Sequence, residues 1–301
     1  MDVTWWGHST VGIQDAGTRL LTDPVLGMRV AHLRRRAGAR PAAQAAQVDA
    51  AVVSHLHADH LDIPSLRLLP PAVPILVPRG AAALLRHRHP ALAERCVEMV
   101  PGDQARIPAP DGGGGLDVLA VPARHDGSRG PWSRHRGPAL GFVITGTATA
   151  WFAGDTALHD AMADLAPLGI DLALVPVGGW GPSLGPGHID PAGAVEAVRR
   201  VIPAGQPVPA MAVPIHYGTL WPIGFDRVRP DRFHEPGREF ARLADAAQVP
   251  AEVRLPAHGV AVTVPGGTRT GAAPAGTGQD DAGQDSTGQD DAFPVASADK
   301  D

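Results

Sequence analysis

The chain opens on short stretches in which apolar side chains alternate with polar ones. Val3–Trp6, Thr10–Gln14 and Arg19–Thr22 read as consecutive strands, separated at Gly7 and Gly17. Ala50–Ser54 is apolar up to its last residue, the pattern of a strand covered on both faces, and it runs straight into a histidine cluster. Ile75–Val77 predicts another strand and Ala81–Arg88 a helix. Leu116–Val121, Ala139–Ile144 and Thr149–Ala153 alternate or run apolar as sheet strands do, and Asp171–Val175 and Met211–Pro214 continue the series. Between the last two, Asp190 reads as the N-cap and Pro191 as the first residue of a helix reaching Val201. A helix near Asp231–Ala246 precedes two closing strands, Glu252–Leu255 and Val260–Val264. The 36 Gly and 31 Pro keep all these elements short. Hairpins first and strand–helix alternation later, in two similar halves, predict an α/β protein. Two sheets pack face to face with helices over both outer faces, a four-layer αββα sandwich.

Composition changes at Pro265. From there Gly, Ala, Thr, Gln and Asp dominate and Gly-Gln-Asp recurs at 278, 283 and 288, with almost nothing apolar to bury. Such a segment cannot offset its ordering entropy, so the expected organisation is a folded domain over 1–264 and a disordered acidic tail over 265–301. The tail also carries the whole net charge of −5, leaving a neutral body. Neutrality argues against nonspecific nucleic-acid binding, which needs a basic field. No apolar run reaches the roughly 18 residues of a membrane span, and the N-terminus lacks a basic-then-apolar leader. The one cysteine, Cys96, excludes an intramolecular disulfide framework and suits a reducing cytoplasm. Lysine occurs once against 25 arginines, which points to GC-rich coding and a bacterial source.

Fourteen histidines become informative through their spacing. His55-Leu56-His57-Ala58-Asp59-His60 puts four ligand-type side chains on one tight loop at a strand end; His55 and His57 could reach one metal, Asp59 and His60 a second. Other candidates also sit where strands leave a sheet: His125 in Pro-Ala-Arg-His-Asp, Asp155 in Phe-Ala-Gly-Asp-Thr and His216 in Pro-Ile-His-Tyr-Gly-Thr.

The order HxHxDH, His, GDT, His resembles the metallo-β-lactamase fold superfamily of metal-dependent hydrolases, over nearly all of 1–264. Gly7-His8-Ser9-Thr10, Leu21-Thr22-Asp23-Pro24-Val25, His188-Ile189-Asp190-Pro191 and Pro214–Thr219 resemble the branch that contains ascorbate-6-phosphate lactonase and N-acylphosphatidylethanolamine phospholipase D. The resemblance implies two zinc ions per chain, with manganese or iron as alternatives. One would be held by His55, His57 and His125, the other by Asp59, His60 and His216, with Asp155 bridging. His258, in Pro-Ala-His-Gly, is the rival for the position of His216. Cys96 follows no strand-end motif of the kind that carries the lactamases' cysteine ligand, so β-lactam hydrolysis is not suggested. His57 stands where the flavodiiron relatives carry Glu, which favours hydrolysis over redox chemistry.

Two divalent ions lower the pKa of a shared water toward ~7 and clamp the oxygens of the reacting group. The expectation is therefore a hydrolase in which a metal-bridging hydroxide attacks a phosphodiester, a phosphorylated lactone or a related ester, with Asp59 able to accept a proton. An iron-dependent redox protein using the same ligands, and a metal-stabilised binding protein without turnover, are the rivals. His188 either acts at the active site, orienting substrate or protonating the leaving group, or only contacts its helix N-terminus. His8 is a turn residue or a contact to a ligand or substrate, and Asp23 a turn initiator or a hydrogen-bond partner of a ligand histidine. Arg34, Arg35, Arg36 and Arg40 read as solvated surface or as a lid for an anionic substrate. Arg129, Arg134, His135 and Arg136 follow His125 and stand nearer the chemistry. Trp132, Trp180 and Trp221 read as core before pocket wall, and His32 as surface. Specificity is expected from loops 27–49, 126–138 and 178–189.

Overall fold

Strands that run the same way through a sheet leave it at the same edge, and this chain uses that edge twice. The computed structural model describes residues 1–205 and 210–265. One seven-stranded sheet has the order Ala261–Thr263, Asp2–Gly7, Thr10–Asp15, Thr18–Thr22, Ala50–Val52, Ile75–Pro78, Cys96–Met99. Its first four strands are antiparallel neighbours and its last four parallel. The second, also of seven strands, runs Ala251–Val253, Ala210–Ile215, Leu172–Pro176, Thr149–Phe152, Leu140–Thr145, Gly115–Pro122, Gln104–Pro108. Here the first four are parallel and the rest antiparallel.

Alternation sorts the side chains into layers. Trp5, Ile13, Leu20 and Val52 of the first sheet meet Val118, Phe142, Phe152 and Leu174 of the second in the central core. The outer face of the first sheet is covered by the short helices Ile63–Leu66, Ala81–Arg86 and Pro90–Ala93, which bury Leu66, Leu85 and Leu92. Pro191–Val201, Asp231–Ala246 and the 3-10 stretch Asp160–Leu168 cover the second with Val198, Phe240 and Met162. The expected αββα sandwich is present, and the helix start is as expected: Asp190 accepts from the Gly193 N–H at 2.8 Å. No helix among the described residues is long and apolar enough to cross a membrane.

Segment 27–49 departs from a plain loop. Arg29–Val30 and Leu33–Arg35 pair with each other and with Leu220–Pro222 in a small third sheet. Strands of two or three residues carry too little alternation to be read from a pattern. The arginine run splits accordingly. Arg35 is buried and donates to the carbonyls of Trp6 and Val25 at 2.8 and 2.9 Å, so it is neither solvated surface nor lid. Arg34 and Arg36 approach Asp226 at 2.6 and 3.7 Å.

Val264 is buried and its N–H donates to the Met1 carbonyl at 2.9 Å. Apart from Pro265, the acidic tail lies outside the described residues. A chain ending at Val264 is expected to keep its melting temperature within about 2 °C, roughly the shift that 1 kcal/mol produces at this size. A larger fall in a thermal scan would mean that the tail docks.

Candidate metal centre

Thr18–Thr22 and Ala50–Val52 are parallel neighbours, so Asp23 and Ser54 leave the first sheet side by side. The Ser54 N–H and hydroxyl both donate to the Asp23 carboxylate at 2.7 Å. In the second sheet, Asp155, Gly178 and His216 follow three parallel neighbours, and His125 follows Gly115–Pro122, which points the same way. Backbone bonds join the sheets at this end: Leu140 N–H to the Ser54 carbonyl at 2.9 Å and His216 N–H to the His8 carbonyl at 3.0 Å. His8, Asp23 and His216 all hold φ between 33° and 60°, a left-handed backbone that costs on the order of 1–3 kcal/mol per residue and concentrates at functional sites.

All seven expected ligands converge there. His55 Nε2 and His125 Nε2 approach His57 Nδ1 at 2.8 and 3.2 Å. Asp155 Oδ2 lies 3.0 Å from His216 Nε2 and 3.2 Å from His60 Nε2, while Asp59 Oδ2 lies 3.5 Å from His60 Nε2 and 3.9 Å from His216 Nε2. Ligand-type atoms fall within 4.8 Å of one another in the sets His55–His57–His125 and His8–Asp59–His60–His216, and Asp155 reaches such sets from both sides, with His55 and His60 and with His125 and His188.

In four of the five candidate ligand histidines, all but His57, the far nitrogen shows which way the ring faces. His125 Nδ1 donates to the Gly187 carbonyl and His216 Nδ1 to the Gly178 carbonyl, both at 2.9 Å. His60 Nδ1 donates to Asp23 at 2.6 Å, and His55 Nδ1 to the Ser54 hydroxyl at 3.0 Å. Each Nε2 lone pair is thereby turned toward the centre, as metal-ligating histidines are held. Gly187 makes the His125 contact possible, since at φ +79° a Cβ would come 2.8 Å from His125 Nδ1.

Of the seven buried side-chain atoms without a hydrogen-bond partner among the described residues, three belong to this cluster: His60 Nε2, His216 Nε2 and Asp155 Oδ1. Both nitrogens lie beside the other oxygen of the same carboxylate, Asp155 Oδ2, at 3.2 and 3.0 Å. Lone pairs and carboxylate oxygens so arranged need a cation between them, so this donor set fits a metal centre. Burial pushes the His55 ring well below its ordinary range, and takes His8 and His125 down to about 4, so these rings are neutral. Burial would lower His60 too, but Asp155, Asp23 and Asp59 around it outweigh that and hold it well above its usual value, so a cation bound at its Nε2 would take the place of a proton there. Burial would raise the two central carboxyls; His60 and His8 beside Asp59, and His216 and His60 beside Asp155, hold both well below the carboxylate range instead.

Residues with two open readings now have places. His8 Nε2 donates to Asp59 Oδ2 at 2.9 Å, and Asp23 is the acceptor that orients His60. His188 Nε2 stands 3.3 Å from Asp155 Oδ2, with Nδ1 donating to the Gly185 carbonyl at 3.1 Å. His258 stacks on Trp5 at 4.3 Å and meets Thr219 Oγ1 at 3.0 Å, apart from the ligand atoms. A cavity of about 630 Å³ opens over the centre, walled by Ala31 and His32, by Arg129–Pro131 and by Gly179–Gly185, so all three expected loops contribute to it. Trp221 is core, but Trp180 walls this cavity and Trp132 is 98% exposed, because its loop turns it away from the body. His32 is exposed, as the sequence suggests, and also borders the cavity, set edge-on to Trp180 at 4.9 Å. Arg134 and Arg136 are exposed and do not line the cavity. The carbonyls of Gly178 and Gly187 were not foreseen, since a backbone acceptor leaves no mark in side-chain patterns.

Asp23→Ala removes three hydrogen bonds from behind two candidate ligands, His55 and His60. Metal affinity is expected to fall about 10–100-fold, the usual cost of losing such support. A competitive chelator titration measures it, and unchanged affinity would reduce Asp23 to a turn residue.

The family described as beta-lactamase superfamily domain matches residues 18–217. A protein of Opitutus terrae described as a metal-dependent hydrolase is 30% identical over 277 residues, covering 89% of this chain and 99% of that one. The N-acyl-phosphatidylethanolamine-hydrolyzing phospholipase D 1 of Caenorhabditis elegans is 27% identical over 264 residues, 81% of this chain and 70% of that one. Among solved structures, a metallo hydrolase of the archaeon Ignicoccus hospitalis shares the fold with a TM-score of 0.62 at 20% identity, covering 87% of this chain and 97% of that one.

Proposed function

The chain belongs to the beta-lactamase superfamily of metal-dependent hydrolases, and from that premise we propose that it hydrolyses a phosphodiester, a phosphorylated lactone or a related ester at a dinuclear zinc centre. The observation that carries this reading is Asp155, which lines the cavity and groups with members of both sets, with His55 and His125 of one and His60 of the other. His55, His57 and His125 would hold one ion, Asp59, His60 and His216 the other, and Asp155 both. The likeness to a phospholipase D supports a phosphodiester among the three ester classes.

When bound, the ions supply Lewis acidity toward a substrate oxygen and make water acidic enough to attack near neutral pH. The chain supplies the rest. Asp59, fixed through Oδ2 by His8, faces the cavity and accepts a proton from the attacking water. His188, fixed through Nδ1, presents Nε2 to the same space, where it steadies the substrate or hands a proton to the leaving oxygen. Trp180, Leu184, Pro131 and Ala58 give the cavity apolar walls that exclude water and strengthen every charge interaction inside it.

A panel of bis(p-nitrophenyl) phosphate, a phosphorylated lactone and p-nitrophenyl esters tests the proposal. At least one should be turned over, lost on chelation and restored by zinc. A protein that holds both metals and leaves the whole panel untouched would be a binding protein. Metal analysis with electron paramagnetic resonance on unsupplemented protein separates zinc, which is silent, from iron.

A further inference from the structure

We propose that Arg129 selects a negatively charged substrate, holding an anionic group with the side of its guanidinium that faces the cavity; this rests on the reading of the neighbouring cluster as a hydrolytic centre. The loop after His125 folds on itself: Asp126 accepts from the Ser128 N–H and hydroxyl, both at 3.0 Å, and the Arg129 N–H donates to the His135 carbonyl at 3.1 Å. That turn sends the Arg129 side chain back across the ligand loop. There Nη1 donates to the carbonyls of Leu56 and Leu61 at 2.9 and 2.7 Å, on either side of His57–His60.

Only Nη1 is spent in this way. Nη2 and Nε have no protein partner among the described residues, and neither is sealed from solvent. No carboxylate among the described residues lies within 4 Å of the guanidinium, although Asp62 and Asp59 stand near enough to favour its charge. The residue lines the cavity beside His57, Asp59, Asp155 and His188, and no other Arg or Lys among the described residues lines it. A half-buried cation with two unspent donor groups, anchored in place and lining a cavity, is prepared for an anion: its position is already fixed, so little freedom is lost on binding. A phosphate or carboxylate oxygen is the partner that geometry fits, one molecule spanning Arg129 and the cluster. The clamp on Leu56 and Leu61 does not account for the open side, because a neutral donor could make those two bonds.

The test is isothermal titration of the zinc-loaded protein with 3-phosphonopropionate, which carries an anion at each end, and with methylphosphonate, which carries one. Arg129→Gln should weaken 3-phosphonopropionate about tenfold or more, the scale of one charge-assisted contact. Methylphosphonate binding and zinc content should stay unchanged, and Arg134→Gln on the same loop should bind both probes as the wild type does. Equal affinity in Arg129→Gln and wild type overturns the proposal. So does an equal loss in Arg134→Gln, which would reveal a diffuse field, or a wild type that does not bind 3-phosphonopropionate. If Arg129→Gln sheds zinc, Arg129→Lys decides: an ammonium can still serve both carbonyls but offers no second arm. Arg129→Lys with full zinc and several-fold weaker binding supports the assignment; full zinc and wild-type affinity overturns it. No bond is broken in this experiment, so its outcome is separate from that of the substrate panel.

Discussion

Replacing Asp155 with alanine should take the protein from about two metal equivalents per chain to fewer than one, and turnover should fall below detection. Its carboxylate is 2% exposed and is the only acid among the described residues whose oxygens reach ligand atoms of both sets. Without it, His60 and His216 lose the oxygen 3.2 and 3.0 Å away. Asp59 would then be the one carboxylate left among the candidate ligands to balance cationic charge. A linked effect should appear in stability. Metal binds the folded chain and stabilises it by mass action, by about 2.7 kcal/mol at a hundredfold excess over Kd. Zinc should therefore raise the melting temperature of the wild type and leave that of Asp155→Ala nearly where the chelated protein melts. Plasma mass spectrometry and paired thermal scans measure the two effects. A variant that keeps both metals would remove Asp155 from the bridging position and, with it, the reason to pair the two sets.

What the sequence made legible here follows from where side chains sit. His55, His57, Asp59 and His60 lie on one loop at the end of an apolar strand, and His125, Asp155 and His216 each occupy the same kind of position. A reader of strand ends finds all of them. The partners behind them are harder to see. Asp23 precedes Pro24, so its local pattern is that of a turn; its role depends on Ser54 and His60, more than thirty residues away, and on a parallel pairing that no local signal announces. Gly178 and Gly187 act through carbonyls. Arg35 sits among arginines that are more exposed, and only the closure of the small sheet around it shows that its charge is spent on main-chain oxygens. Arg129 was one of four basic residues on a single loop, and folding alone separates it from Arg134 and Arg136.

His188→Ala should keep both metals and a near-native melting temperature while turnover falls about 10²–10⁴-fold, the contribution of a positioned acid or orienting group. The side chain stands at the mouth of the centre, 18% exposed, with Nε2 3.3 Å from Asp155 Oδ2 and its ring 4.7 Å from that of His125. Those distances bring it as near to the ligand atoms as some of the ligands are to one another, so proximity alone does not separate a ligand from a catalytic neighbour. Support does: His216 is fully buried with Nδ1 bonded to the Gly178 carbonyl at 2.9 Å, whereas His188 is held by a 3.1 Å bond within its own loop and faces the cavity. A ligand is fixed by the scaffold; a group that meets a leaving oxygen has to face the substrate. His216→Ala is the paired measurement, and there metal content and rate should fall together. Metal loss in His188→Ala with metal retained in His216→Ala would exchange the two roles. A His188→Ala variant unchanged in both rate and metal would leave that side chain with nothing but its contact to the turn before Asp190.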